Sequence, residues 1–325
     1  MNIGTIIKNL FAGMWEDTQA VSPIVATLVL VVVAITGAAA VGTIMGTFSS
    51  DVSEESNTGE VTSASSTELL IAGSTTVQPV SELLAEAYME EHQGVKVTVQ
   101  GGGSGAGVSS AGLDIVDIGA ASRDVKPDEL AKYPNIVTHK IGGSAVVVIV
   151  NEATGLINAT KAEINEAYVN HTFSGNLSTA SIDTVFKRSE ESGTQDTFCK
   201  WIGNKTDKFH DDVVGKTGNA GVLKAVEDTP NSIGFVDFGF ADGSDDVRAI
   251  NLYDGKQYFV TKDNIKDQLK DSTKGTYPDK LARPLNYLTN GEPNSMEQAF
   301  ITFAMSPGAT TYFEECGYFP VTEIA

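Results

Sequence analysis

The sequence predicts an α/β fold of two lobes joined by crossing strands, set behind a single apolar segment at the amino terminus. Three observations predict it. From residue 68 onward, short β-branched runs alternate with amphipathic stretches of helical period, the pattern of a mostly parallel sheet covered by helices. Two long uninterrupted strand patterns, around Val146 and around Leu285, stand far apart in the chain, as strands that tie one lobe to another do. The chain of 325 residues is also long enough to bury two cores.

In chain order, residues 1–20 form a leader-like segment with one lysine, Lys8, and the acidic pair Glu16 and Asp17. No side chain from Thr18 to Ser50 is charged, and residues 21–48 exceed the length of about 20 apolar residues that spans a bilayer. Asp51, Glu54, Glu55 and Glu60 follow, which predicts a cytoplasmic amino terminus and an extracellular body anchored by this transmembrane helix. Residues 49–67 are an acidic Ser/Thr linker.

The body then reads as follows. Strands are expected at Leu69–Ala72, Val95–Val99, Ile115–Ala121, Val137–Ile141, Ser144–Asn151, Thr184–Arg188, Ser232–Asp237 and Pro284–Thr289. Helices are expected at Val77–Glu91, just after Gly103, at Ala162–Tyr168, through Phe198 and Trp201, after Gly218, at Ser295–Met305 and at Thr310–Cys316. One lobe is assigned residues 68–149 and 286–325, the other 150–285.

Composition excludes several functions. Lys and Arg total 22 against 42 Asp and Glu, so the net charge is −20 and no basic patch is available for nucleic acid. The four histidines, His92, His139, His171 and His210, are scattered, and no metal site is expected. Cys199 and Cys316 form no CxxC; two buried thiols and one disulfide are equally compatible with their placement. Loose matches to a dinucleotide fingerprint at Gly101–Ala106, a P-loop at Gly215–Thr217 and a nucleophile elbow at Gly102–Ala106 each lack a required element. No enzyme and no cofactor are expected. Sequons begin at Asn158, Asn170, Asn176 and Asn204, sites for glycosylation on an extracellular chain.

Three turns share one chemistry. Gly73-Ser74-Thr75-Thr76, Gly103-Ser104-Gly105 and Ser192-Gly193-Thr194 each place hydroxyls and glycine where a strand gives way to a helix. A helix start offers backbone N–H groups at the positive end of its dipole, an anion seat, and Arg188 adds a forked charge beside the third turn. Converging, these turns would surround a tetrahedral oxyanion with donors.

Two resemblances extend this reading. Gln19-Ala-Val-Ser-Pro-Ile-Val-Ala26 resembles the start of archaeal type IV pilin-like proteins, which implies cleavage near Ala20 and Val21 by a prepilin-type peptidase and a helix kept as an anchor or filament stalk. Residues 68–325 resemble the phosphate-binding proteins of ABC transporters, the PstS family. The matching pieces are Ala72-Gly-Ser-Thr-Thr-Val-Gln-Pro79, Gly102-Gly-Ser-Gly105, Val116-Asp-Ile-Gly-Ala-Ala-Ser-Arg123, Arg188-x-x-x-Ser-Gly-Thr194, Gly218-Asn-Ala-Gly221 and Ser232-Ile-Gly-Phe-Val-Asp237. That resemblance implies a type II periplasmic-binding-protein fold, closed on one inorganic phosphate that is passed to a membrane permease. By position it implies phosphate binding by Thr75, Thr76 and Ser74, by Ser104, by Ser122 and Arg123, by Arg188 with Glu190 orienting it, by Ser192, Gly193 and Thr194, and by Asn219. Some members carry an Asp, a proton acceptor, just after this strand end, where this chain reads Ser122-Arg123, so no carboxylate acceptor is assigned and both residues are expected as donors. Two alternatives stand beside this reading: a filament subunit whose head is an adapted binding fold, and a receptor for another tetrahedral oxyanion.

Overall fold

A computed structural model describes residues 67–206 and 208–325. The leader, apolar segment, pilin-like signature and most of the linker lie outside the described residues. Among the described residues no helix is long and apolar enough to cross a membrane.

The first stretch holds β1 (Thr67–Gly73), α1 (Gln78–Glu91), β2 (Val95–Gly101), α2 (Ser104–Gly112), β3 (Ile118–Ala121), α3 (Pro127–Lys132) and β4 (Ile136–Asn151). Next come β5 (Asn158–Thr160), α4 (Lys161–Val169), α5 (Gly175–Thr179), β6 (Thr184–Arg188), α6 (Gly193–Ile202), β7 (Val214–Lys216), α7 (Gly218–Asp228) and β8 (Ser232–Asp237). The chain continues with α8 (Phe238–Ala241), β9 (Val247–Ala249), β10 (Asn251–Tyr253), β11 (Gln257–Tyr258) and α9 (Lys262–Lys270). It closes with β12 (Ala282–Asn290), α10 (Ser295–Ala304), α11 (Thr310–Glu315), β13 (Phe319–Pro320) and α12 (Val321–Ile324).

The main sheet runs β2-β1-β3-β12-β4-β8-β6-β7, with β9 and β13 also on β4. Pairing is parallel inside each lobe, β2-β1-β3 on one side and β8-β6-β7 on the other. It is antiparallel wherever β4 or β12 takes part. The expected mostly parallel sheet is thus a mixed one, because strands that cross between lobes and return must oppose their neighbours.

Two of the expected strands, 137–141 and 144–151, are one. Gly142 and Gly143 do not break β4; a Cβ on Gly142 would lie 2.5 Å from the Phe319 carbonyl oxygen, and one on Gly143 would lie 2.7 Å from Ile324 Cδ1. These glycines admit the carboxyl-terminal segment onto the sheet, a packing need that resembles a turn signal in sequence. The strand expected from Ile115 begins only at Ile118, and Ile115 is exposed. Asp117 is held instead by Leu70, whose amide donates to its carboxylate at 2.7 Å while its own amide donates to the Leu70 carbonyl at 3.1 Å.

β4 changes cores along its length. Ile141 packs with Leu69, Leu84, Tyr88, Tyr287 and Phe300 in the first lobe, whereas Ala145 to Val150 pack with Tyr168, Phe198, Trp201 and Phe235 in the second. Leu281 and Leu285 divide the same way on the return, and Phe319 and Ile324 join the second-lobe core. The second core is knit by aromatic stacking, with Phe198 and Phe235 4.1 Å apart and nearly parallel. Both cysteines are free thiols, so of the two arrangements open in sequence the structure holds no bridge; burial pushes each thiol up to about 12.

Candidate functional site

The carboxyl ends of the parallel strands in both lobes meet at one place, the usual ligand position of open α/β sheets. β1 ends before Ser74, β3 before Ser122, β6 at Arg188 and β8 at Asp237. β12 runs the other way, so its second residue, Arg283, arrives at the same end, opposite Ser144.

Local chemistry shapes each turn. In the first, Ser74 Oγ accepts the Thr76 amide at 3.2 Å, which satisfies the helix start and turns Thr76 inward. In the second, Gly103 takes φ +92°, and its added Cβ would lie 2.3 Å from the Glu191 carbonyl oxygen, so only glycine lets this turn approach the other lobe. In the third, Ser192 caps α6 by accepting the Thr194 and Gln195 amides at 3.2 and 3.3 Å. A Cβ on Gly193 would lie 2.5 Å from Ser104 Oγ and 2.8 Å from Ser122 Oγ; the lobes touch here.

Thr76 Oγ1 sits at the centre. It lies 3.3 Å from Thr194 Oγ1, accepts from Asn219 Nδ2 at 2.8 Å and accepts from Arg283 Nη2 at 3.0 Å. Ser74 donates to Ser122 Oγ at 3.0 Å, and Ser104 Oγ lies 3.3 Å from the same atom. Arg188 is buried and donates to Thr75 Oγ1 at 2.8 Å, to Asn219 Oδ1 at 3.3 Å and, through Nε at 2.9 Å and Nη2, to Glu190. Glu190 is fixed in turn by the Gly218 amide at 3.1 Å. Burial pulls the Arg188 guanidinium below its ordinary value against the hold of Glu190, and nearby Arg283 pushes the same way. For Glu190, burial works upward but the charge and hydrogen bond of Arg188 prevail, and its carboxyl stays below the usual range.

Of the residues expected in the site, Ser74, Thr75, Thr76, Ser104, Ser122, Arg188, Gly193, Thr194 and Asn219 come together. Ser192 adjoins them as the helix cap. Arg123 does not point there. Its guanidinium forks onto Glu129 at 2.7 Å through Nη1 and Nη2, while Nε lies 2.8 Å from Asp196 but off the line of a good hydrogen bond. Burial opposes its charge, yet Glu129 and Asp196 raise its pKa above the ordinary value.

Sequence reasoning missed Arg283 and the part played by Asp237. Arg283 Nη2 donates to Asp237 at 2.6 Å and Nη1 to Ser122 Oγ at 3.1 Å, both residues being buried. Asp237 also accepts from Ser144 Oγ at 2.7 Å and from the Gly239 amide at 3.2 Å. The available signal was a charge at the end of an otherwise apolar strand, as in Ser232-Ile-Gly-Phe-Val-Asp237 and Ala282-Arg-Pro-Leu285. Arg283 Nε is buried with no acceptor, a costly state for a charged donor.

Two lobes on crossing strands, whose hydroxyls, amides and guanidiniums meet in one buried cluster, define a solute-binding protein for a small anion. The chain belongs to the PBP superfamily, whose domain model matches residues 49–307. It is 26% identical over 264 residues, 79% of this chain and 81% of the relative, to the phosphate-binding protein PstS of Bacillus subtilis. PstS of Borreliella burgdorferi is 26% identical over 76% of this chain and 88% of its own. Among solved structures, a phosphate ABC transporter substrate-binding protein with bound phosphate from Clostridium perfringens superposes with a TM-score of 0.68 at 24% identity, covering 78% of this chain and 99% of that one. An ABC-type phosphate transport receptor from Vibrio cholerae superposes with a TM-score of 0.61 at 25% identity, covering 78% and 100%.

Proposed function

We propose that this protein is a receptor for inorganic phosphate that closes its two lobes on the anion outside the cell and delivers it to the permease of an ABC importer. One observation carries the reading: Thr75, Thr76, Ser104 and Ser122 from one lobe and Arg188, Thr194 and Asn219 from the other bring their polar atoms into one buried cluster. Hydroxyls and amides supply short hydrogen bonds, and Arg188 and Arg283 supply charge in a place from which water is excluded. The unpartnered Arg283 Nε adds a donor that an oxyanion would satisfy. The PstS relatives and the phosphate receptor of V. cholerae support the same ligand.

Binding both lobes at once, phosphate favours the closed form, and closure is what a permease reads. On this reading Glu190 and Asp237 hold their arginines in place and keep the cluster near neutrality, so selection falls to hydrogen bonds more than to net charge. Anchoring by residues 21–48, and processing by a prepilin-type peptidase, belong to the proposal on sequence alone. Calorimetry of the full chain with phosphate, sulfate and tungstate tests it. Phosphate is expected to bind at micromolar concentration or below and to lose most of its affinity in Arg188→Ala. Equal or tighter binding of sulfate or tungstate would make this the receptor of another oxyanion.

A further inference from the structure

Away from the cleft, the second lobe brings together side chains that the sequence scatters. His171 follows α4, and His210 and Asp212 lie in the loop before β7, at the opposite end of that strand from Thr217 and Gly218. One ligand atom from each of the three lies within 4.8 Å of the others. The Asp212 carboxylate is 3.4 Å from His210 Nδ1 and 3.8 Å from His171 Nδ1. The two imidazoles face each other at 5.4 Å, inclined by 18°. No metal site is expected from the sequence because the four histidines are scattered, and His171 and His210 lie 39 positions apart; the fold removes that separation.

The two histidines are placed by packing, while Asp212 is exposed beside them. His171 stands edge-on against Phe173 with centroids 5.0 Å apart, and its side chain is partly buried. The His210 amide donates to the Tyr168 carbonyl at 2.9 Å, and the neighbouring Phe209 is buried against the Tyr168 ring. That core therefore fixes where His210 can be. Both loops are tied to the same helix end, so the separation of the two rings is set by packing.

We propose that His171, His210 and Asp212 form a surface site for one divalent transition-metal ion of the Zn2+ type. Imidazole nitrogens and a carboxylate bind such an ion at about 2.0–2.2 Å, which puts ligand atoms about 3.3 Å apart around a tetrahedron. The Nδ1-to-carboxylate distances of 3.4 and 3.8 Å are near that spacing. Two nitrogens with one oxygen select Zn2+, Cu2+ or Ni2+ over Ca2+ and Mg2+, which demand more oxygen ligands. The long 3.3 Å bond from the Asp212 amide to His210 Nδ1 gives way when that nitrogen takes a metal. Three protein ligands leave one position for water, and the net charge of −20 raises the local concentration of any cation.

The test is calorimetric titration of the full chain with Zn2+, repeated with Co2+ and followed by its visible absorption. One equivalent is expected, with the intense spectrum of four-coordinate Co2+. His171→Asn, chosen because asparagine tolerates the positive φ of 50° at that position, and His210→Gln are each expected to weaken Zn2+ binding by more than about tenfold, the scale at which even outer partners act. Phosphate titration of the same variants reports that they are folded, since neither residue touches the cleft. Undiminished Zn2+ binding in both variants overturns the assignment, as does the absence of a stoichiometric site in the parent. Ca2+ displacing Zn2+ at equal concentration also overturns it, because that marks acidic surface rather than imidazole ligation.

Discussion

Arg188 and Arg123 invite comparison. Each sits at or just past the carboxyl end of a parallel strand, each is 2% exposed, and each was expected to hold the anion. Their partners differ. Arg188 meets one carboxylate, one hydroxyl and one side-chain amide, whereas Arg123 meets two carboxylates, Glu129 and Asp196, the latter shared with Lys126. A guanidinium that turns its fork onto a carboxylate and lies beside a second one is already neutralised and faces away from the anion. One satisfied partly by neutral groups can exchange them for an anion without stranding a buried charge. Burial and positive charge thus do not distinguish a binding arginine from a bracing one; the charge of its neighbours does.

The largest effect that would sharpen the contrast is on affinity. Arg188→Ala is expected to weaken phosphate binding by more than about thirtyfold, ~2 kcal/mol or beyond, as loss of a buried hydrogen-bonded charge does. Arg123→Met measured in the same calorimeter should leave affinity nearly unchanged. A matching loss in both variants would break the comparison.

Next in size is stability. Asp196→Ala is expected to lower the unfolding free energy by about 1–3 kcal/mol, read by denaturant titration, because it withdraws a partner from buried Arg123 and from Lys126. Gly193→Ala is expected to cost phosphate affinity about 1 kcal/mol through the clash of its Cβ with Ser104 and Ser122, with little change in the unfolding midpoint of the unliganded protein.

The smallest effect is acid dependence. For Glu129, burial pushes upward but Arg123 and the Lys126 amide prevail, so its folded pKa lies below the ordinary 4.5. A depressed carboxylate contributes stability above its unfolded pKa and loses it as the pH falls through the folded one. The thermal midpoint should therefore decline below pH 4.5, and Glu129→Gln should flatten that decline while lowering the midpoint at neutral pH.

Much of the site was legible in sequence because its donors lie in short local motifs. Ser74-Thr75-Thr76 and Ser192-Gly193-Thr194 combine a strand end, a helix start and a hydroxyl within a few residues, so local chemistry alone marks them. Arg283 carries no such context. It precedes a proline in an apolar strand, and only the antiparallel return of β12 delivers it to Thr76 and Asp237. Gly142 and Gly143 misled for the complementary reason: a glycine needed for close packing has the same letter as one needed for a turn.

By itself the sequence determined the alternation of strands and helices, the positions of the hydroxyl-bearing turns and the acidic character of the surface, since each follows from residues near one another in the chain. Tertiary structure decided which charges meet. Whether Arg188 or Arg123 faces the cleft, whether Asp237 finds Arg283, and whether His171 comes beside His210 all depend on contacts between residues 31 or more positions apart in every decisive case but the Arg123–Glu129 and Arg188–Glu190 pairs. Side-chain electrostatics act through space over a few ångströms, and only the packed fold fixes those distances.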